Sequence, residues 1–364
     1  MPPQPKPYIG ALEPAVHGGI DYREVARLRL SPDEVLDFSV CTNPCGPPLG
    51  VAGAIGRAAI ERYPDSQSGE LRAALASGLH VPEENIIVGS GSSEIIRLAA
   101  LAYFGAGDTV IVPQPTYGDY EVACRLADAV VFREPRARGP ALRLSIPELV
   151  RLIKTTRPRG VFLCNPNNPT GEYFGRAQVE AVLEAAPDAL VVLDEAYAAF
   201  TKKAWSPVPL LEGGNLVVLR SMTKDYALAG VRLGYALSKI DIIGVLRRVQ
   251  PPWSVNAMAQ QAGLAALRSG PYLASCRDEV TRAKTWLMRA LRGLGFRPLP
   301  SAANYFLVEV GDAARFRRAL VKHGILVRDC TSFGLPAHVR IGVRTLPECR
   351  RLIEAVKTIG MARS

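Results

Sequence analysis

Ser221 and Thr223 stand just before Lys224, and Arg232 follows eight residues on, in Leu219-Arg220-Ser221-Met222-Thr223-Lys224-Asp225-Tyr226-Ala227-Leu228-Ala229-Gly230-Val231-Arg232-Leu233-Gly234. The apolar run Asn215–Leu219 reads as a buried strand. Lys224 then falls on the loop after it, where α/β proteins place ligand chemistry. A lysine held there can form a Schiff base once its amine is neutral near pH 7, and a nearby cation or a partly dry site lowers its pKa enough. Ser221, Thr223 and Arg232 suit a phosphate, with two neutral donors and one fork of N–H groups. A Schiff-base lysine beside a phosphate cup describes the requirements of pyridoxal 5′-phosphate (PLP). Alone, the stretch also reads as a surface Lys and Arg flanking a strand end, so the remaining loops decide.

Gly89-Ser90-Gly91-Ser92-Ser93 lies between a strand and a helix. Its backbone N–H groups and the helix N-terminus make an anion site. It is neither a Walker loop nor a dinucleotide fingerprint, and a plain βα turn is its other reading. Tyr117, on the loop after the next strand, can stack on a flat heteroaromatic ring or be a half-buried core tyrosine. Asn168, in Asn165-Pro166-Asn167-Asn168-Pro169-Thr170-Gly171, is an amide held by prolines. Asp194 ends the hydrophobic run Ala189–Leu193, where a carboxylate is costly unless paired. A protonated pyridine nitrogen is such a partner and keeps the ring an electron sink. Tyr197 is placed to donate to the ring oxygen. A cap or a salt bridge is the other reading of Asp194.

Positioning these loops requires an α/β fold. Short apolar strands are expected at 37–40, 85–88, 108–112, 129–132, 160–164, 190–193, 216–219 and 231–237, with helices at 49–62, 70–79, 95–104, 145–157 and 176–187. This is the signature of a mostly parallel sheet covered on both faces. Past Pro251-Pro252-Trp253 a long helical region, 256–294, leads into an α+β segment. Its strands are near 303–309, 325–328 and 338–343, with helices at 312–323 and 346–359. Three parts follow: a mobile N-terminal arm over 1–16, a large PLP-binding domain over 49–255, and a small domain from 17–48 with 256–364.

The chain has 364 residues, 48% of them hydrophobic and 21% charged, as in ordinary soluble domains. Its formal charge of +10 comes from scattered arginines without a basic run, which argues for solvated surface and an anionic substrate over nucleic acid. Seven cysteines without C-x-x-C and only four histidines give no disulfide framework and no metal site. No apolar signal region or membrane-length run occurs, so a cytoplasmic location is expected.

Together, Ser90–Ser92, Tyr117, Asn168, Asp194 with Tyr197, and S-M-T-K-x₅-G-V-R-L-G resemble the PLP site of fold-type I aminotransferases. The resemblance to the histidinol-phosphate aminotransferase branch runs from about residue 17 to 358. It implies a large domain with a seven-stranded sheet and a smaller α+β domain. Lys224 would be the Schiff-base lysine and later the proton carrier. Asp194 would pair with the pyridine nitrogen, and Tyr117 would stack on the ring. Asn168 and Tyr197 would bind the ring 3-oxygen. Ser90, Gly91, Ser92, Ser221, Thr223 and Arg232 would hold the phosphate. Tyr63 resembles a tyrosine that reaches the phosphate across a homodimer interface.

Within the branch, three features resemble L-threonine-O-3-phosphate decarboxylase of cobalamin synthesis more than the aminotransferase. They are His17-Gly18-Gly19, the run Pro252-Trp253-Ser254-Val255-Asn256-Ala257, and the second arginine of Arg340…Arg344. A weaker likeness is Asp37-Phe38-Ser39 with Asn43-Pro44 and Gly46. His17, Gly19, Asn43, Asn168, Arg328, Arg340 and Arg344 are the expected contacts to a phosphorylated amino-acid substrate, since arginine forks match carboxylate and phosphate alike. The expectation is decarboxylation of L-threonine phosphate, with histidinol-phosphate transamination to 2-oxoglutarate as the alternative.

Overall fold

A computed structural model describes residues 3–134 and 142–360. The chain opens with α1 (Pro7–Gly10), α2 (Tyr22–Arg27) and β1 (Leu36–Phe38), then α3 (Val51–Gly56) and α4 (Gly69–Leu79). The alternating part follows: β2 (Ile86–Gly89), α5 (Ser92–Tyr103), β3 (Thr109–Ile111), α6 (Asp119–Leu126), β4 (Val130–Phe132), α7 (Ile146–Thr156), β5 (Gly160–Cys164), α8 (Arg176–Ala185), β6 (Leu190–Asp194), β7 (Leu216–Arg220), α9 (Met222–Asp225) and β8 (Gly234–Leu237). The last part is α10 (Ile240–Val249), α11 (Ala257–Leu267), α12 (Tyr272–Gly293), β9 (Tyr305–Glu309), α13 (Ala313–Val321), β10 (Ile325–Asp329), β11 (His338–Gly342) and α14 (Leu346–Thr358).

The large sheet has seven strands in the order β2-β8-β7-β6-β5-β3-β4, parallel except for β8. Every residue of β5 and β6 is buried, which is why these strands read as unbroken apolar runs. The hydrophobic side chains sort into one core on each face of the sheet. The parallel strands all present their C-terminal ends to one edge, where Asp194, Ser221 and the 89–92 turn gather. The antiparallel β8 brings its N-terminal end, and with it Arg232, to the same edge. Gly234 is needed there, because a Cβ would stand 2.5 Å from the Ser92 nitrogen. The small sheet, β1-β10-β11-β9, packs on α12, α13 and α14 through a separate core.

Three expectations change. The helix expected over 49–62 is only Val51–Gly56, because the chain turns away well before Pro64. The helical region 256–294 is two helices, broken near Gly270 (φ 57°) and Pro271. Residues 257–267 pack with α3 and α4 in the large-sheet core, so the small unit gathers from α12 onward and not from 256. Finally, the last two residues of the 1–16 arm are held: Val16 O accepts from Arg328 Nη2 at 2.6 Å, and Ala15 lies against Gly118.

Candidate active site

One cavity at the C-terminal edge of the large sheet faces the small sheet. It is lined by His17, Ser92, Tyr117, Asn168, Asp194, Tyr197, Ser221, Thr223, Lys224, Arg232, Arg328 and Arg340, together with Ser39, Cys41, Ser93, Tyr120 and Phe333. Residues from β2, β3, β5, β6 and β7 loops and from the small sheet thus converge, although they span most of the chain.

Lys224 sits in the four-residue helix α9. Burial lowers its amine pKa, and Arg340 and Arg232 push the same way against Cys41 and Asp194. No protein acceptor holds Nζ among the described residues. At one end of the cavity lies the start of α5, with Ser92 and Ser93, beside Ser221, Thr223 and Arg232. Arg232 Nη2 reaches Ser93 Oγ at 3.5 Å and meets no carboxylate among the described residues. Gly91 (φ 78°) leaves this corner open, since a Cβ would fall 2.8 Å from Arg232 Nη2.

Asp194 is buried, and desolvation raises its carboxyl pKa. Its oxygens accept from Tyr120 O–H at 2.7 Å and Ala196 N–H at 2.9 Å. Tyr120 stacks on Phe162 (4.9 Å between centroids) and meets Tyr117 edge-on (5.4 Å). Tyr117 donates to Asp119 at 2.6 Å, and His17 Nε2 lies 3.6 Å from the other Asp119 oxygen. Tyr197 meets Tyr305 edge-on.

The far end holds two arginines. Arg328 and Arg340 are register partners across β10 and β11, and both are buried. Arg340 donates to Asn168 Oδ1 and to Ser39 O, and its Nε is buried without a partner. Arg328 donates to Val16 O and Ser332 Oγ. Neither forms an ion pair among the described residues. Burial first, and then Arg340, depresses the Arg328 pKa.

Several expected contacts lie elsewhere. Ser90 does not line the cavity; its N–H donates to Glu94 at 2.6 Å. Gly19 donates to Ser39 Oγ, while Gly18 makes the close approach, with Ser39 O 2.4 Å from where its Cβ would be. Asn43 bonds backbone, not the cavity. Arg344 is held by Glu348 at 2.6 and 2.9 Å and by Asp37 O, so it is no free clamp. Tyr63 is 76% exposed and stacks on Trp253, outside the cavity of its own chain. Ser93 belongs to the expected 89–93 anion turn, whereas Asp119 and Tyr120 carry no role in the sequence expectations. Tyr120 follows Tyr117 by three residues and closes a turn on it at the start of α6, Tyr120 N–H donating to Tyr117 O at 3.4 Å, so the spacing itself brings the two rings close.

The residues present fit PLP. An open, glycine-cradled corner with hydroxyls and an unpaired arginine suits its phosphate. A dehydrated lysine suits its aldehyde, and a buried carboxyl suits a protonated ring nitrogen.

The family model of class I and II aminotransferases matches residues 41–356. The histidinol-phosphate aminotransferase of Symbiobacterium thermophilum is 38% identical over 320 residues, 86% of this chain and 88% of that protein. The structure of the Sinorhizobium meliloti histidinol-phosphate aminotransferase in complex with PLP superposes with a TM-score of 0.85 at 24% identity, covering 97% of this chain and 96% of that one. L-threonine-O-3-phosphate decarboxylase from Porphyromonas gingivalis gives 0.77 at 27% identity, over 88% and 98%.

Proposed function

We propose, for a chain that belongs to the class I and II aminotransferase family and uses its cofactor PLP, amino-group transfer from histidinol phosphate to 2-oxoglutarate. The observation that carries this reading is the pair Arg328 and Arg340, buried side by side with no carboxylate on either among the described residues. Two uncompensated guanidiniums are costly in a dry site unless an anion joins them. The phosphate of one substrate and the carboxylates of the other would do so in turn. The kinship at 38% identity points the same way.

The chemistry PLP supplies when bound is a ring that withdraws electrons from the substrate Cα. Asp194 would hold the ring nitrogen protonated, and its burial makes that charge pair strong. Tyr117, braced by Tyr120 and Asp119, would cover the ring face. Asn168 and Tyr197 would bond its 3-oxygen. Ser92, Ser221, Thr223 and Arg232 would anchor its phosphate, with Gly91 leaving the space. Lys224 Nζ, whose proton dehydration loosens, would take the Cα proton and return it. Arg328 and Arg340 would orient the substrate so that the C–H bond stands across the ring. Tyr63 would serve a partner's site in a homodimer.

Decarboxylation of L-threonine phosphate is the second reading. His17 at the cavity mouth favours it. Its other two grounds carry less, because Arg344 is engaged by Glu348 and Trp253 stacks on Tyr63 outside the cavity. A direct test compares histidinol phosphate with histidinol as amino donors. The phosphorylated amine should give the higher kcat/KM, by about 10²-fold or more, and Arg328→Gln should remove most of the difference. Equal rates with both donors would overturn the reading.

A further inference from the structure

Asn43 is 3% exposed and lies in the loop after β1, yet it bonds the far side of the cavity. Its backbone N–H donates to Lys224 O at 3.0 Å. Its Nδ2 donates to Asp225 O at 2.8 Å. Its Oδ1 accepts from Cys45 N–H at 3.0 Å, which fixes the orientation of the amide, since only an oxygen can accept there. Lys224 and Asp225 close the short helix α9. Terminal carbonyls of a helix have no acceptor role within it and need outside donors. Asn43 supplies both, and the chain then turns sharply at Ala227 (φ 55°).

The same segment is bonded to the arginine-bearing sheet. Ser39 O accepts from Arg340 Nη2 at 2.7 Å, Cys41 O accepts from Asn304 Nδ2 at 3.0 Å, and Gly342 packs on Val40 O where a Cβ would stand 2.3 Å away. Residues 39–43 therefore run as a strut from Arg340 to the turn that carries Lys224.

We propose that Asn43 is a positioning residue for Lys224: it caps the lysine-bearing helix and holds Nζ in its buried place, in register with the arginines that take the substrate anion. It touches neither substrate nor cofactor. The inference rests on the reading of Lys224 as the cofactor lysine.

Two variants separate this role from a contact to substrate. Asn43→Asp retains an oxygen for Cys45 N–H and loses the donor to Asp225 O; Asn43→Ala loses both side-chain bonds, and the backbone N–H to Lys224 O stays in each. The first readout needs no cofactor: acylation of Lys224 in the cofactor-free full-length protein is followed against pH by peptide mass. A looser, wetter Lys224 should titrate higher, by about one unit, in both variants. The second readout is steady-state turnover with PLP bound. There kcat should fall by about tenfold or more while KM changes by less than about threefold. Unchanged Lys224 titration in a folded Asn43→Asp protein would overturn the proposal. So would a raised KM with intact kcat, which would make Asn43 a substrate contact. Failure of the wild type to bind PLP through Lys224 would overturn the reading of the site itself, and the acylation result would still stand apart from it.

Discussion

At the scale of the residue, burial governs the chemistry. Lys224 loses its proton more easily because it is dehydrated, and Asp194 gains affinity for one for the same reason. A bound ring nitrogen would reverse the second effect by offering a charge partner. Asp194→Ala should therefore lower kcat by about 10²-fold or more, measured on protein saturated with PLP; a loss under about threefold would place the ring nitrogen elsewhere. Asp225 makes a different prediction. It is buried, its Oδ1 has no partner, and burial pushes its carboxyl up to about 8. An unfolded aspartate titrates near ~4. Between these values the folded protein holds a proton that the unfolded chain has released, so this residue makes stability fall as pH rises from about 4 to 8, by at most about 1.4 kcal/mol per pH unit. Asp225→Asn removes that dependence. Denaturant unfolding at pH 5 and pH 8 should show the variant gaining on the wild type at the higher pH. Parallel profiles would contradict the assignment.

At the scale of the element, the strands were legible because β5, β6 and β7 are buried on both faces and leave unbroken apolar runs. Their C-terminal residues were legible for the same reason: Asp194 is conspicuous as a charge ending such a run. Side chains that point into a shared cavity from β10 and β11 were legible only as arginines. Nothing local in the sequence separates Arg340, which enters the cavity, from Arg344, which turns back to Glu348 one helical turn on. Asn43 was read as a substrate contact because a sequence cannot show that its partners are the carbonyls of residues 224 and 225. The helix over 49–62 was misread because its apolar spacing continues past Gly56, where the backbone does not. Close packing of elements gives a further test. The Gly234→Ala methyl would press on Ser92 N and Arg220 O, parting β8 from the start of α5. PLP affinity should drop by about tenfold or more and the thermal midpoint should fall, followed by equilibrium dialysis and by unfolding. Unaltered affinity would show that this corner does not hold the phosphate.

At the scale of the whole molecule, two sheets with separate cores close on one cavity, and each contributes what the other lacks. The large sheet brings the lysine, the carboxyl and the phosphate corner, and the small sheet brings two arginines that meet no carboxylate among the described residues. That division suits a reaction in which one fixed cofactor site meets two different anionic substrates. It leaves Tyr63 and Trp253 stacked and exposed on the outside. The measurement closest to the central claim is a product balance on purified, PLP-loaded protein. With histidinol phosphate and 2-oxoglutarate, glutamate should appear mole for mole with loss of the amine, and nothing should turn over when the keto acid is omitted. Release of CO₂ from L-threonine phosphate, continuing without any keto acid, would contradict amino-group transfer as the function of this site.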